Sequence, residues 1–364
     1  MAIRTVLGLM SGTSMDGVDV ALLTTDGKVV GDFGPTLFRP YSESEKSVLK
    51  AAAAQARGLS DRTARPGALA EAERIVTDAH GLAIEGWQRA NPSLKPDLIG
   101  FHGQTVFHAP QRGITVQIGN GSKLAERFGV PVVYDFRAAD VEGGGQGAPF
   151  VPVYHRALVA RAGIENSVAV INIGGVANIT RIDADGSILA ADTGPGNALI
   201  DDFVQARTGA AFDRDGALGA RGTVDKVALS ALMADPWFDE PIPKSLDRDA
   251  FSQGPVDGLS DQDGAATLAA FTASTIAAAI AVTGGAETIV VAGGGMHNPV
   301  IMAALGEAAG KSPLKASDLG WNGDFIEAQA FAYLAARSLS GLPLSYPETT
   351  GVSKPMPGGV LVQP

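Results

Sequence analysis

Gly8–Leu9–Met10–Ser11–Gly12–Thr13–Ser14–Met15–Asp16–Gly17–Val18–Asp19 joins two apolar runs, Ile3 to Met10 before the polar residues and Gly17 to Leu23 after them. Two apolar strands around a short Ser/Thr/Asp/Gly loop read as a β-hairpin. A loop of this composition can turn several N–H groups inward and hold an anion without a lysine. Asp16 would repel a bare phosphate, but it suits a phosphate that arrives with Mg2+. A plain hairpin turn explains the same residues, because Gly, Ser and Asp are common turn formers.

The design recurs along the chain. Val168 to Ile173 reads as a strand, Gly174–Gly175–Val176–Ala177–Asn178 as a turn, and Ile179 to Ile182 as a second strand. Thr288 to Ala292 is a third strand running into Gly293–Gly294–Gly295. Three glycine loops, each capping a strand, could converge on one triphosphate. Between these hairpins, residues 43–90 carry helical periodicity broken near Pro66–Gly67. Asp97–Phe101, Ile114–Ile118 and Val130–Tyr134 read as short strands, and Ser122–Phe128 as a helix. Gly143–Gly144–Gly145–Gln146–Gly147 marks a shift of composition and a boundary between lobes. The expected fold is α/β, with mixed sheets in two lobes and a cleft between them. Residues 1–134 would form the first lobe, completed by 345–364, and residues 135–344 the second.

Composition narrows the function. The 364 residues are 45% hydrophobic and 18% charged, an ordinary globular balance that excludes intrinsic disorder. Glycine is high at 46 residues, which places the excess in turns and close backbone approaches. No cysteine is present, so disulfides, thiolate metal sites and a cysteine nucleophile are excluded, as suits a cytoplasmic protein. The net charge of −11 is unlike the basic stripe of a nucleic-acid binder. The N-terminus lacks the long apolar stretch of a signal peptide. Ala265 to Ala286 is uncharged, but it is mostly Ala with interspersed Thr and Ser, which reads as a buried core helix rather than a membrane span.

Competing motifs fail. Gly310–Lys311–Ser312 supplies the tail of a Walker A loop, but Leu305 stands where its first glycine belongs. After Gly293 and Gly295, the sixth position of a dinucleotide fingerprint is Asn298. No H-E-x-x-H occurs, and the five histidines are scattered. Ala191–Asp192–Thr193–Gly194–Pro195–Gly196–Asn197 places a carboxylate in a turn after a short apolar run, with a helix beginning near Ala198. Phosphotransferases keep the group that orients and deprotonates a nucleophile on such a turn. Helix capping is an equally good use of this Asp.

The motifs taken together resemble those of the anhydro-N-acetylmuramic acid kinases. The resemblance rests on Gly8 to Asp19, Phe101–His102–Gly103–Gln104–Thr105, Asp135–Phe136–Arg137, Asn172 to Asn178 and Asp192 to Asn197. It continues through Gly293–Gly294–Gly295–Met296–His297–Asn298 and Glu327–Ala328–Gln329–Ala330–Phe331, so it covers essentially the whole chain. It implies the two-lobed, ribonuclease H-like fold of the sugar kinase, Hsp70 and actin superfamily, hinged around an ATP cleft. By resemblance, ATP would be held by Gly12, Thr13, Ser14, Met15, Asp16, Gly17, Val18 and Asp19, by Gly174 and Gly175, and by Gly293, Gly294 and Gly295. Asn172 departs from the superfamily, whose second phosphate loop usually begins with Asp. Mg2+ would therefore lean on Asp16, through water, and on ATP itself.

The resemblance also implies the reaction. A 1,6-anhydro sugar has no free 6-hydroxyl, so Asp192 would deprotonate a water that attacks the anomeric carbon while O6 leaves with the γ-phosphoryl group. The product would be N-acetylmuramic acid 6-phosphate, as in recycling of cell-wall peptidoglycan. Arg137 suits the lactyl carboxylate because guanidinium pairs bidentately, although a salt bridge to Asp135 or Asp140 would also occupy it. His102, Gln104 and Asn120 would bond sugar groups or support turns. Asn197 would help position the water, and Glu327 would contact substrate or cap a helix. The partner is thus a small molecule, with neither nucleic acid nor membrane, and the chain a homodimer. An ordinary hexosamine kinase and an ATP-driven switch without sugar chemistry are the alternatives.

Overall fold

The computed structural model describes residues 2–248 and 250–364, which fall into two compact units, Met1–Arg161 with Phe325–Pro364 and Ala162–Asp324. These units divide at 161 and 324, whereas the sequence suggests 134 and 344. The Gly143–Gly147 stretch is no boundary: its main chain is tied back onto the first unit, with the Gly145 N–H donating to the Asp140 carbonyl at 2.8 Å.

The first unit opens with β1 (Arg4–Ser11), β2 (Gly17–Thr25) and β3 (Val30–Pro40), then α1 (Glu43–Ala56) and α2 (Ala68–Ala90). It continues through β4 (Leu98–Ala109), β5 (Ile114–Ile118), α3 (Gly121–Phe128), β6 (Val132–Tyr134), α4 (Ala138–Glu142) and α5 (Val151–Arg161). The second unit holds β7 (Val168–Ile173), β8 (Val176–Ile182), β9 (Ile188–Pro195), α6 (Ala198–Thr208), α7 (Lys226–Met233) and α8 (Asp261–Val282). It ends with β10 (Thr288–Ala292), α9 (Pro299–Ala309) and β11 (Leu314–Lys315). The chain then re-enters the first unit as α10 (Ile326–Leu339), α11 (Pro347–Thr350) and β12 (Val360–Val362).

Both units use one topology. In the first, β3-β2-β1-β4-β6 is continuous, antiparallel through β1 and parallel from β1 to β6. β12 pairs antiparallel with the edge strand β6, and β5 forms a hairpin with β4. In the second, β9-β8-β7-β10-β11 repeats the same order and the same directions. A hairpin and third strand followed by parallel crossovers is the ribonuclease H-like pattern, present twice, as in the sugar kinase, Hsp70 and actin superfamily.

Local chemistry accounts for the elements. Ser42 and Glu45 form a reciprocal capping box that starts α1, with the Glu45 N–H donating to the Ser42 hydroxyl at 3.2 Å. α8 is the uncharged alanine-rich stretch, and buried Leu268, Phe271 and Ile276 seat it in the second unit. Its length and apolarity would suffice to cross a bilayer, but 67% of its most apolar stretch is buried within the protein, as a core helix requires. Gly8 and Gly100 lie opposite each other on parallel β1 and β4. A Cβ on Gly8 would overlap the Ala328 carbonyl oxygen, and one on Gly100 the Phe331 carbonyl oxygen. Helix α10 therefore rests on bare backbone.

Candidate active site

In the first unit the loop between β1 and β2 comprises only Gly12 to Asp16; Gly17, Val18 and Asp19 belong to β2. Val18 is fully buried, so of that expected nucleotide contact only the main chain could serve. Met15 turns the chain at φ +55°, its N–H donating to the Gly12 carbonyl at 3.1 Å. Asp16 Oδ1 accepts from the Ser14 hydroxyl at 3.1 Å and from the Gly17 N–H at 2.9 Å. Thr13, Ser14 and Asp16 are exposed. The loop thus has a fixed base and an open rim.

Gln104 makes that base. It is fully buried, its amide donates to the Gly12 carbonyl at 2.9 Å and the Thr105 carbonyl at 3.2 Å, and its oxygen accepts from the Ser11 hydroxyl at 2.5 Å. Both amide hydrogens are thus committed to the fold, where Gln104 supports the loop. His102 is committed in the same way. Its Nδ1 bonds the Gly103 carbonyl at 2.9 Å, and its Nε2 accepts from Arg137 Nε at 3.1 Å, a pattern that assigns the neutral Nδ1–H tautomer. Burial, with the Arg137 charge adding to it, holds this ring well below the ordinary histidine pKa.

Arg137 lies just before α4, with Nη1 donating to the Gly147 carbonyl at 2.7 Å. It forms no ion pair with Asp135, which binds Arg62 at 2.8 Å instead. Burial brings the guanidinium pKa down to about 10, opposed by the charges of Glu327 and Asp140. Glu327 occupies the first turn of α10; the surrounding protein raises its carboxyl, Arg137 lowers it and Asp16 raises it. Asp16, Arg137 and Glu327 thus form one electrostatic cluster. Asn120 caps α3, its Oδ1 accepting from the Lys123 N–H at 3.0 Å, and it lines a cavity of about 430 Å³ with His102, Arg62 and Arg65.

In the second unit the remaining glycines do converge. The turn between β7 and β8 is Gly174–Gly175 alone, since Val176 already belongs to β8. The Gly174 carbonyl accepts from the Asn197 N–H at 2.7 Å, and the Gly175 carbonyl from the Gly196 N–H at 2.9 Å. Asn197 Nδ2 donates to the Ile173 carbonyl at 3.1 Å. A Cβ on Gly293 would touch the Asn172 oxygen, one on Gly294 would press the Asn197 amide nitrogen, and one on Gly295 would overlap the Ile173 side chain. Gly293 also adopts φ +78°, which favours glycine. Beside this cluster is a cavity of about 420 Å³ lined by Asn197, Phe212, Arg214, Gly294, His297 and Asn298.

Asp192 stands within β9, paired with Asn178 of β8, and not in a turn. The segment Lys244–Leu246 brackets it: the Asp192 N–H donates to the Lys244 carbonyl at 3.0 Å, and Oδ2 accepts from the Leu246 N–H at 2.8 Å. Burial raises the carboxyl to about 6, with the Leu246 bond opposing. Among the described residues none donates to the other oxygen, and a carboxylate poised near neutrality with such an oxygen is suited to accepting a proton.

Comparison with known proteins gives the family. The profile of the anhydro-N-acetylmuramic acid kinase family matches residues 4–364. The chain belongs to that family. Its relatives include the anhydro-N-acetylmuramic acid kinases of Rhodopseudomonas palustris strain HaA2, 52% identical over 99% of both chains, and Nitrobacter winogradskyi, 51% identical over 99% of this chain and all of that one. The enzyme of Methylorubrum extorquens is 49% identical over the whole of both. Membership makes the chain a kinase, a phosphotransferase with an alcohol acceptor.

Several features of this anhydro-N-acetylmuramic acid kinase family member are not evident from motifs. Asp140 and Gly147 behind Arg137, the Lys244–Leu246 bracket and the Phe212–Arg214 wall of the second cavity each depend on distant packing. The aromatic pair Trp237–Phe238 that anchors the bracket is the one signal of it in the sequence; Lys244 Nζ lies 4.0 Å from the centre of the Trp237 ring. Among the described residues no three His, Asp or Glu side chains gather as a cation site. The loop offers one carboxylate, Asp16, a donor set that fits Mg2+ bound chiefly by phosphate oxygens and water.

Proposed function

We propose that this kinase uses ATP and water to open 1,6-anhydro-N-acetylmuramic acid and phosphorylate O6, giving N-acetylmuramic acid 6-phosphate and ADP in peptidoglycan recycling. Asp192 carries the reading: its carboxyl is raised to about 6 and anchored through one oxygen only. It takes the proton of a water whose oxygen bonds to C1. The C1–O6 bond breaks, and O6 receives the γ-phosphoryl group as ADP departs. In an inverting glycosidase an acid protonates the departing oxygen; here the phosphoryl group takes that electrophilic part, so one carboxylate suffices.

In the first unit the exposed Gly12–Asp16 rim would contact phosphate, and in the second the Gly174–Gly175 and Gly293–Gly295 cluster would hold the nucleotide, whose base suits the cavity beside Gly294. Bound Mg2+, held through water by Asp16, would neutralise phosphate charge. Arg137 would take the lactyl carboxylate, Glu327 and Asn120 would contact the sugar, and Asn197 would help order the water. We place the enzyme in the cytoplasm as a homodimer.

ADP release from Mg-ATP with the anhydro sugar, beside N-acetylglucosamine and a no-sugar control, tests the reading. Turnover confined to the anhydro sugar, with oxygen from labelled water at C1, is expected. Turnover on N-acetylglucosamine, or label absent from C1, would make the chain an ordinary hexosamine kinase.

A further inference from the structure

Arg137 is held by a frame that the proposed reaction does not itself require. Its Nε donates to His102 Nε2 at 3.1 Å and its Nη1 to the Gly147 carbonyl at 2.7 Å. The rings of Phe150 and Phe331 lie 5.6 and 6.0 Å from the guanidinium carbon. Among the described residues none accepts from Nη2. Gly147 is in turn fixed by Asp140, a buried carboxylate whose Oδ1 accepts the Gly147 N–H at 2.6 Å. Asp140 Oδ2 accepts the hydroxyls of Ser345 and, at 2.7 Å, Thr350.

One Asp140 oxygen thus fixes the loop that ends at Gly147, the other ties Asp140 to Ser345 and Thr350 of the C-terminal segment, and all three partners are buried. A buried polar group is costly unless its bonds are satisfied, and Asp140 meets that condition entirely through this frame. We propose that Asp140 and His102 are positioning residues that lock Arg137 with its Nη2 edge presented, making this site selective for a ligand that carries a carboxylate. The proposal rests on Arg137 being the partner of the lactyl carboxylate. A planar guanidinium with two of its three nitrogens already tethered cannot swing away, so a carboxylate meets it in a single orientation.

The test titrates two sugars into the full chain: 1,6-anhydro-N-acetylmuramic acid, and 1,6-anhydro-N-acetylglucosamine, which is the same ring without the lactyl group. Arg137→Ala should weaken only the first. Asp140→Ala and His102→Phe should each weaken the first by about tenfold or more while changing the second less than about twofold. His102→Gln restores an acceptor for Nε and should recover most of the loss. Asp140→Asn, which keeps an acceptor for Gly147, serves if the alanine variant does not fold, with a smaller loss of the same selectivity. If Arg137→Ala abolishes the preference but the Asp140 and His102 variants keep it, the positioning roles are wrong and the Arg137 reading stands. If Arg137→Ala leaves the preference intact, that reading fails and the frame has no ligand to serve.

Discussion

The main-chain N–H of Leu246 holds Oδ2 of Asp192 at 2.8 Å, which leaves the other carboxylate oxygen as the one able to receive a proton. Because the bond comes from backbone, it survives any side-chain change at Leu246 other than to proline. Asp192→Asn keeps that bond but has no basic oxygen, and should lower kcat by about 10²- to 10⁴-fold, the usual worth of a general base. Single-turnover ADP release measures it; a loss under fivefold would remove Asp192 from the proton transfer.

The same group fixes a pH limit. Its carboxyl is raised to about 6, and only the ionised form accepts a proton. The rate constant kcat/KM should therefore fall tenfold per unit below about pH 6. A profile flat down to pH 4.5 would contradict the assignment.

Stability should move the other way. Burial disfavours the charged form of Asp192, so folding is penalised above pH 6 and relieved as the pH drops toward the unfolded value near 4. Asp192→Asn should stabilise the chain by about 1–2 kcal/mol at pH 7.5, with the gain vanishing near pH 4. Thermal melts across that range check the inactive variant against wild type.

Acid should unfold the protein despite that relief. Burial lowers His80 to about 4, His155 to about 3, and His102 well below its normal value. Near pH 5 the unfolded chain gains three protons on these histidines, while the folded chain holds two extra on Asp192 and Asp201, both raised to about 6. The difference of about one proton predicts a loss of roughly 1–2 kcal/mol per pH unit between 6 and 4. Denaturant midpoints that stay constant over this interval would refute it.

Gln104→Leu removes the tether of the Gly12 carbonyl and leaves the buried Ser11 hydroxyl with Tyr41 alone. The variant should lose about 1–3 kcal/mol of stability and raise KM for ATP more than KM for the sugar. Equal effects on both constants would return Gln104 to the sugar site.

How much of this the sequence discloses depends on how local the cause is. Both hairpins and their polar loops are legible because apolar strands and glycine turns lie within a dozen residues. Asp192 reads as a turn residue because Thr193–Gly194–Pro195–Gly196 follows it. Yet β9 is an edge strand, where Pro195 costs no ladder bond, and Gly194 at φ +150° closes against Thr275. His102–Gly103–Gln104 hides the length of β4 for a similar reason: Gly103 at φ +72° lies at a register shift inside the strand, not at its end. β3 contains Gly31, Gly34 and Pro35, which mask an edge strand. The Arg137 frame is invisible from any window, since Asp140 finds Thr350 across 210 residues.

The bare contact of Gly8 and Gly100 with α10 has a dynamic consequence. Where side chains separate a helix from a sheet, rotamer exchange lets the two drift by fractions of an ångström. Here main chain meets main chain, and there are no rotamers to exchange. β1 leads into the Gly12–Asp16 loop, and α10 begins beside Glu327, so the spacing of those two ends is that of a rigid caliper. Amide exchange along β1 and the first turns of α10 should accordingly proceed only through global unfolding. A methyl group at either glycine would open the caliper, at a cost above the ordinary 1–3 kcal/mol of overpacking because backbone cannot step aside.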